Sequence, residues 1–221
     1  MLSGFPHPSS RLNRRRLFSL SGLCALCLLV ATACNHSDQQ AAQAPPPPPD
    51  QPLKEGKYSA AFGLSLDATL QAYYGMVNAF VNWDSTTVDQ EAKNLDARMD
   101  SLKFDDFKSD TLVYQTAVQQ LGSTRTELSG LIGEKTLSGK RKELNMVSQD
   151  LYDFLRTIRY NSRKVYFTEC PMAFGDDNPG DWVGQTSDSA RILNPYLGNK
   201  HPQYGAEMEH CAQIKDSLPA K

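Results

Sequence analysis

The residues best suited to chemistry in this 221-residue sequence are concentrated between positions 170 and 211. Beyond residue 57 the chain has two cysteines and two histidines, and all four fall in this segment together with two methionines. They are Cys170, Met172, His201, Met208, His210 and Cys211. Thiolate and thioether sulfur are the donors that select Cu(I) over harder ions. The segment therefore indicates a soft-metal site, with copper(I) or silver(I) as its ion.

The spacing within the segment predicts which side chains bind the metal. A turn after a strand lets Cys170 and Met172 face one centre, and a helical turn puts Met208 and Cys211 on one face. The expected metal ligands are Cys170, Met172, Met208 and Cys211, with His201 and His210 as auxiliary ligands. Zinc is disfavoured, because methionine is a poor zinc ligand and the usual Cys-x-x-Cys or His-x₃-His spacing is missing here.

The cysteine pair has two other possible states. In an oxidising compartment Cys170 and Cys211 can form a disulfide, which closes a loop of about forty residues and contributes roughly 4 kcal/mol. Both can instead be buried free thiols. A disulfide predicts a different protein, a non-enzymatic structural or interaction lipoprotein whose C-terminal lobe is closed by that bond.

The N-terminal residues have the order of an export signal that ends at a lipid-modified cysteine. Four arginines at positions 11 and 14–16 precede the apolar run 17–33, and small residues lead directly into Cys34. This order resembles a bacterial lipobox, although the usual leucine three positions before the cysteine is missing. We expect residues 1–34 to be a signal peptide and Cys34 to anchor the protein to a bacterial membrane, facing the periplasm or the cell exterior. The alternative is a plain secretory signal in which Cys34 has no role.

Composition excludes a nucleic-acid partner and predicts a tether. Residues 1–34 hold four of the 23 basic residues and none of the 25 acidic ones, so the remainder has a net charge of about −6 and lacks a basic cluster. Residues 35–57 are polar, with a proline run at 45–49, and cannot bury enough apolar surface to fold. They predict an extended spacer, followed by one globular domain over 58–221.

Four apolar stripes predict the scaffold of that domain. Each steps by three and four residues, which places its apolar side chains on one helix face. The stripes are Leu66, Leu70, Tyr73, Val77, Phe80; Val88, Ala92, Leu95, Met99, Leu102; Ala117, Leu121, Thr124, Leu128, Leu131; and Leu144, Val147, Leu151, Phe154, Ile158. Short connections favour antiparallel neighbours. The predicted fold is mainly α, an antiparallel four-helix bundle over about 64–160 followed by a small irregular α+β lobe over about 161–221.

Local signals predict where the helices begin and which elements come after them. Helix starts are expected at Ser65, at Ser109 and at a capping box over positions 87–90. Residues 164–168 are predicted as a strand, and the spacing from Met208 to Leu218 is that of a last short helix. The basic run 140–142 is expected on a solvated helix face or at a helix end.

The order of motifs in the C-terminal segment resembles an uncharacterised bacterial domain. Cys-Pro-Met-Ala-Phe begins at Cys170, Asn-Pro-Tyr-Leu-Gly-Asn-Lys-His-Pro-x-Tyr-Gly begins at Asn194, and Met-x-x-Cys begins at Met208. Domains with this pattern occur as periplasmic lipoproteins and fused to membrane-fusion adaptors of copper and silver efflux pumps. The resemblance implies a copper-handling or efflux partner, with suspected ligands at Cys170, Met172, Met208 and Cys211. The chain departs from the pattern at Ala212, where the family often has glycine.

Motifs of catalysis do not support an enzyme. The sequence has neither a nucleophile elbow nor a glycine-rich phosphate loop, and Cys-x-x-Cys does not occur beyond residue 34. The function that the sequence predicts is a lipoprotein that binds Cu(I) or Ag(I) in copper handling or efflux.

Lipid modification of Cys34 is directly testable in cells. Cys34→Ala removes the acylated thiol, so the protein should move from the membrane fraction to the soluble fraction. Cys170→Ala is the matched control and should leave the partition unchanged. Fractionation followed by immunoblotting measures the result, and a Cys34→Ala protein that stays with the membrane contradicts lipidation.

Overall fold

The computed structural model describes residues 56–220. The predicted signal peptide with Cys34 and most of the predicted tether lie outside these residues. Four α-helices come first: α1 (Ala60–Val81), α2 (Ser85–Asp100), α3 (Thr111–Gly133) and α4 (Leu137–Thr157), with a short 3₁₀ turn at Asp105–Phe107. Three strands come after them: β1 (Val165–Cys170), β2 (Gly180–Gly184) and β3 (Gln213–Leu218). The domain is therefore mainly α with a C-terminal part that contains a small sheet, as predicted.

The four apolar stripes form the core of the domain. Every residue of each stripe is buried, which confirms the period of the predicted helices. Helices that are neighbours in the sequence pack on one another, α1 on α2, α2 on α3 and α3 on α4. None of the described helices is both long and apolar enough to span a membrane.

The helix starts differ from the sequence prediction. The capping residues are Ser59, Asp84 and Asp110, each of which accepts a hydrogen bond from the amide three residues further along the chain. The predicted starts at Ser65, Thr87 and Ser109 are therefore wrong. Ser65 lies inside α1, where its hydroxyl donates to the Ala61 carbonyl. A serine or threonine can bond to the backbone in both settings, so its residue type alone does not locate a cap.

The strands form one antiparallel sheet with β1 in the centre, in the order β2-β1-β3. The β1–β2 register places Cys170 opposite Gly180, and the β1–β3 register places Glu169 opposite Gln213. Strand β2 packs on α4, and its Trp182 is buried in the same core as the helices. The sheet therefore extends the helical core into the C-terminal part of the domain.

The last element is a strand, and the predicted final helix is wrong. Met208 and Cys211 lie in consecutive turns, and β3 then pairs with β1 from Gln213 onward. A helix of about ten residues is marginal on its own. The open edge of β1 supplies backbone partners that such a helix lacks. Leu218 is buried in the strand, whereas Ile214 is 39% exposed.

Two residues of the basic run are buried, which corrects the prediction of a solvated face. The Lys140 ammonium lies 2.6 Å from Asp89 Oδ1 and donates to the Leu131 carbonyl at 2.9 Å. Arg141 donates to backbone carbonyls of α1 and of the segment after β2. Lys142 is exposed as expected. Most partners of Lys140 and Arg141 are distant in the sequence, so local composition gives no sign of their burial.

A buried hydroxyl joins α1, α4 and β2. The Tyr73 hydroxyl donates to Ser148 Oγ at 2.7 Å, because that oxygen gives its own proton to the Leu144 carbonyl. It also accepts from the Val183 amide at 3.0 Å. Burial raises the pKa of Tyr73 well above its usual value, so the neutral hydroxyl persists at any pH at which the protein folds.

Removing this hydroxyl should weaken the fold. Tyr73→Phe leaves the buried Val183 amide without an acceptor and removes the donor to Ser148 Oγ, which costs about 1–3 kcal/mol. Tyr114→Phe is the control, since the half-buried Tyr114 hydroxyl makes no hydrogen bond within residues 56–220. Urea unfolding of both variants measures the difference in the free energy of unfolding, and equal losses would show that the network contributes nothing.

Candidate metal centre

The register of β1 and β3 brings the two cysteines of the domain together. Strand β1 ends at Cys170, and Glu169 faces Gln213, so Cys211 lies beside the end of β1 two residues before β3 begins. The two thiols are close neighbours, and the Cys211 thiol raises the pKa of Cys170. Both cysteines are free thiols, Cys170 fully buried and Cys211 partly exposed.

Two N–H groups lie close to the Cys170 sulfur. They are the side-chain amide of Asn194 and the backbone amide of Met172, and both favour the thiolate. Burial has the larger, opposite effect and raises the pKa of Cys170 above its usual value, and the adjacent Cys211 thiol raises it further. Cys170 is therefore a protonated thiol at neutral pH whose surroundings are prepared for a sulfur that bears negative charge.

The buried side chain of Asn194 organises the polypeptide around the thiol pair. Its Oδ1 accepts from the amides of Tyr196 at 2.8 Å and Leu197 at 3.2 Å. Its Nδ2 donates to the Cys211 carbonyl at 2.9 Å, and its backbone amide donates to the Glu209 carbonyl at 2.7 Å. In the sequence Asn194 stands out only as the first residue of the Asn-Pro-Tyr-Leu-Gly motif. An asparagine directly before proline is the signal of such a side-chain-closed turn, but its contacts with the cysteines are not readable from the sequence.

The two predicted methionine ligands each lie near one cysteine along the chain. Met172 is half-buried, and its side chain forms part of the wall of a cleft that also contains Arg141 and His201. Met208 is half-buried against the core, and its carbonyl accepts the Cys211 amide at 3.1 Å. The backbone thus delivers both methionines to the neighbourhood of the thiols, while ligation by their thioethers stays a prediction.

The two histidines are held in different tautomers. His201 Nδ1 accepts from the amides of Gln203 and Tyr204 at 3.2 and 3.3 Å, so the ring proton is on Nε2 and neither nitrogen has a free lone pair. Burial, and then the nearby Arg141 charge, lower the pKa of His201. His210 Nδ1 bonds to the Ile192 carbonyl at 2.7 Å and must donate there, which leaves Nε2 free. His210 is therefore the histidine better prepared for a metal.

Within residues 56–220, no three side chains of the types His, Cys, Asp and Glu gather into a group able to hold a metal ion. The cysteine pair is thus not extended by a carboxylate or an imidazole in this conformation. The auxiliary roles of His201 and His210 stay predictions.

Comparison with known proteins gives one similarity. The chain is similar over residues 69–163 to the family described as "Protein of unknown function (DUF3347)". The matched span begins within α1, includes α2 to α4 and the turn after them, and ends before Cys170, so the segment with the cysteines lies outside it. The match fits the predicted resemblance to an uncharacterised domain and gives no link to efflux adaptors. No curated protein matches the chain. No solved structure matches it.

The two thiols should differ in reactivity. The thiolate is the reactive form, so iodoacetamide at pH 8 should modify the partly exposed Cys211 well before the buried Cys170, whose pKa is raised. The rate at Cys170 should keep rising with pH above the range in which an ordinary cysteine levels off. Peptide mapping by mass spectrometry measures both rates, with urea-unfolded protein as the control. Equal native rates would contradict the structure of the pair.

Proposed function

We propose that this protein is a periplasmic or cell-surface lipoprotein that binds Cu(I) or Ag(I) at the Cys170–Cys211 pair. The observation that carries the proposal is the adjacency of two free thiols, one of which has two N–H groups close to its sulfur. Two thiolates form a low-coordinate site of the kind that soft monovalent ions prefer. The lipid anchor at Cys34 and the extracytoplasmic location are part of the proposal and rest on the N-terminal sequence.

The chemistry of the surrounding residues is suited to a bound cation. A site of two thiolates and one monovalent cation has one net negative charge. Part of that charge would lie on the Cys170 sulfur, close to the amides of Asn194 and Met172. Met172 and Met208 supply thioethers within three residues of a cysteine along the chain. Binding displaces the thiol protons, so the affinity for the metal should decrease as the pH is lowered.

The partner and the wider role rest on the resemblance found in the sequence. A lipoprotein that holds one soft metal ion outside the cytoplasm would suit copper handling or efflux, with a copper-handling or efflux protein as its partner. The role we propose is that of a binding protein and not of an enzyme, since the sequence has neither a nucleophile elbow nor a glycine-rich phosphate loop and no Cys-x-x-Cys beyond residue 34.

The same adjacency also supports a second function. Neighbouring thiols can be oxidised, and a disulfide between Cys170 and Cys211 would close the C-terminal lobe of a structural or interaction lipoprotein. The N–H groups at the Cys170 sulfur favour metal binding over this alternative, because a disulfide sulfur carries no charge for them to stabilise.

We further propose that the four helices form an antiparallel bundle. Consecutive helices pack on one another, and the connections at 82–84 and 134–136 are too short to return a chain along a helix. The hydrogen bond between Tyr73 and Ser148 joins the first helix to the fourth, as closure of a bundle requires.

A competition titration separates the two functions. Reduced wild-type protein, Met172→Leu/Met208→Leu and Cys170→Ser/Cys211→Ser are titrated with Cu(I) against a chromogenic chelator. We expect one ion per wild-type chain, at least tenfold weaker binding by the methionine variant, and no competitive binding by the cysteine variant. Leucine conserves most of the methionine volume, so stability should change by less than about 1.5 kcal/mol. Met146→Leu, at a methionine that is 43% exposed on α4, is the matched control.

Three outcomes would contradict the proposal in distinguishable ways. If the methionine variant binds Cu(I) as tightly as the wild type, the thioethers are not ligands. If the cysteine variant binds Cu(I) as tightly as the wild type, the thiol pair is not the site. Failure of the reduced wild type to bind favours the structural function, and a thiol assay of protein purified without reductant then decides whether Cys170 and Cys211 form a disulfide in the cell.

A further inference from the structure

A cleft of about 620 Å³ has Met172 in its wall. The other walls combine aromatic rings with positive charge. The principal side chains are Trp83, Arg141, Lys142, Phe174, His201 and Tyr204. Clefts of this size, mostly apolar and with a few fixed polar groups, are typical of binding sites for small organic molecules. The sequence analysis assigned no role in binding to Arg141, Lys142 or Trp83.

Arg141 is a buried cation without a carboxylate partner. The residue is only 5% exposed. Its Nε donates to the Pro195 carbonyl at 2.9 Å and its Nη2 to the Phe80 carbonyl at 3.2 Å. No carboxylate of residues 56–220 lies within ion-pair distance of it. Burial lowers the pKa of Arg141 to about 10, so the side chain stays charged at neutral pH. The remaining nitrogen, Nη1, is the one left to face the cleft.

Neutral groups compensate this charge only in part. The Phe80 carbonyl belongs to the last turn of α1, where the helix dipole is negative. The guanidinium also lies 4.0 Å from the centre of the Trp83 ring, a cation–π contact that does not replace a full counter-charge. A buried charge normally has a full counter-charge. Arg141 has dipoles and a ring face beside it, and no carboxylate of the described residues pairs with it.

The backbone is strained where it holds the Trp83 ring under Arg141. Trp83 has a φ of 58°, a value that a bulky residue rarely adopts. Gly198 has a φ of 60°, and a Cβ there would lie 2.4 Å from the Val81 carbonyl oxygen. The indole Nε1 donates to the Leu197 carbonyl at 3.0 Å, which fixes the ring. Strain of this kind persists where the position of a side chain matters.

The aromatic side chains of His201 and Tyr204 stack on one another next to Trp83. His201 packs edge-on against Trp83, with ring centres 5.8 Å apart, and stacks on Tyr204 at 4.8 Å with an interplanar angle of 20°. Phe174 lines the cleft as well. Planar rings prefer planar ligands, because stacking brings the most atoms into contact.

We propose that this cleft binds a small organic carboxylate with a flat apolar body. The carboxylate supplies a counter-charge to Arg141, with the exposed Lys142 ammonium as a second attraction at the rim, and the body lies against His201 and Tyr204. A dianion such as phosphate is a poorer match, since the cleft offers one buried cation and also contains the Asp176 carboxylate. The site does not depend on metal binding.

The two tryptophans of the chain make the site measurable by NMR. Trp83 lines the cleft, whereas Trp182 is 2% exposed in the core. Reduced, metal-free protein is titrated with sodium phenylacetate while the two indole N–H signals are followed, with Trp83→Phe used to assign them. We expect a saturable shift of the Trp83 signal and a constant Trp182 signal. Phenylacetamide, the neutral counterpart, should bind at least tenfold more weakly, and inorganic phosphate should not compete.

A charge placed in the cleft tests the electrostatic part of the proposal. Ser138 is an exposed residue in the first turn of α4 and lines the cleft, so Ser138→Glu should weaken phenylacetate binding at least tenfold. Glutamate is tolerated in a first helical turn, which keeps the fold intact. Ser123→Glu, at an exposed serine of α3 outside the cleft, is the matched control and should bind like the wild type.

Arg141→Met is the more direct change, but it leaves the carbonyls of Pro195 and Phe80 without their donor. A thermal melt must therefore show that this variant is folded before its binding is interpreted. The proposal is overturned if the Trp83 signal shows no saturable shift at millimolar phenylacetate. It is equally overturned if phenylacetamide or phosphate binds as well as phenylacetate, or if Ser138→Glu and Ser123→Glu bind alike.

Discussion

The C-terminal part of this protein depends on the hydrogen bonds of one buried side chain, that of Asn194. Its carboxamide oxygen closes the turn that carries Tyr196 and Leu197 into the core, and its nitrogen donates to the Cys211 carbonyl close to the Cys170 sulfur. A fully buried amide is costly unless all its hydrogen bonds are made. Here its partners come from three separate segments, so satisfying one side chain fixes the relative positions of all three. The thiol pair is formed by that arrangement, together with the pairing of β1 and β3.

The sequence contained most of the information about the helices and less about their surroundings. Apolar residues at intervals of three and four report a helix face directly, and each predicted stripe is buried. The predicted helix caps were wrong because the hydroxyls of Ser65 and Thr87 form hydrogen bonds with neighbouring groups inside a helix as readily as at its start. The predicted final helix was wrong because the spacing of the apolar residues fits a helix, whereas pairing with the free edge of β1 favours a strand. Burial of Lys140 and Arg141 depends on partners about fifty or more residues away, which no local pattern reveals.

The candidate site was likewise predictable from the sequence only in part. Residue types alone point to sulfur chemistry, and the structure brings the Cys170 and Cys211 thiols together, but by a route that differs from the helical turn expected for Met208 and Cys211. The strand register brings the two thiols together, and register is a long-range property. The role of Asn194 could not be predicted for another reason. An asparagine before a proline indicates a turn, and its second task, placing an N–H group close to the Cys170 sulfur, becomes visible only once the turn is folded against β1.

The pairing of β1 with β3 has a consequence for the order of events during synthesis. A chain made from its N-terminus presents the four helices and β1 well before Cys211 and β3. At about 5–20 residues per second, the roughly forty residues between the two cysteines take about 2–8 s to appear. For that interval Cys170 lacks the neighbouring thiol and the pairing of β1 with β3 that surround it in the finished fold. The helical core can therefore form from the part of the chain made first, whereas the environment of Cys170 is complete only after the last strand has been made.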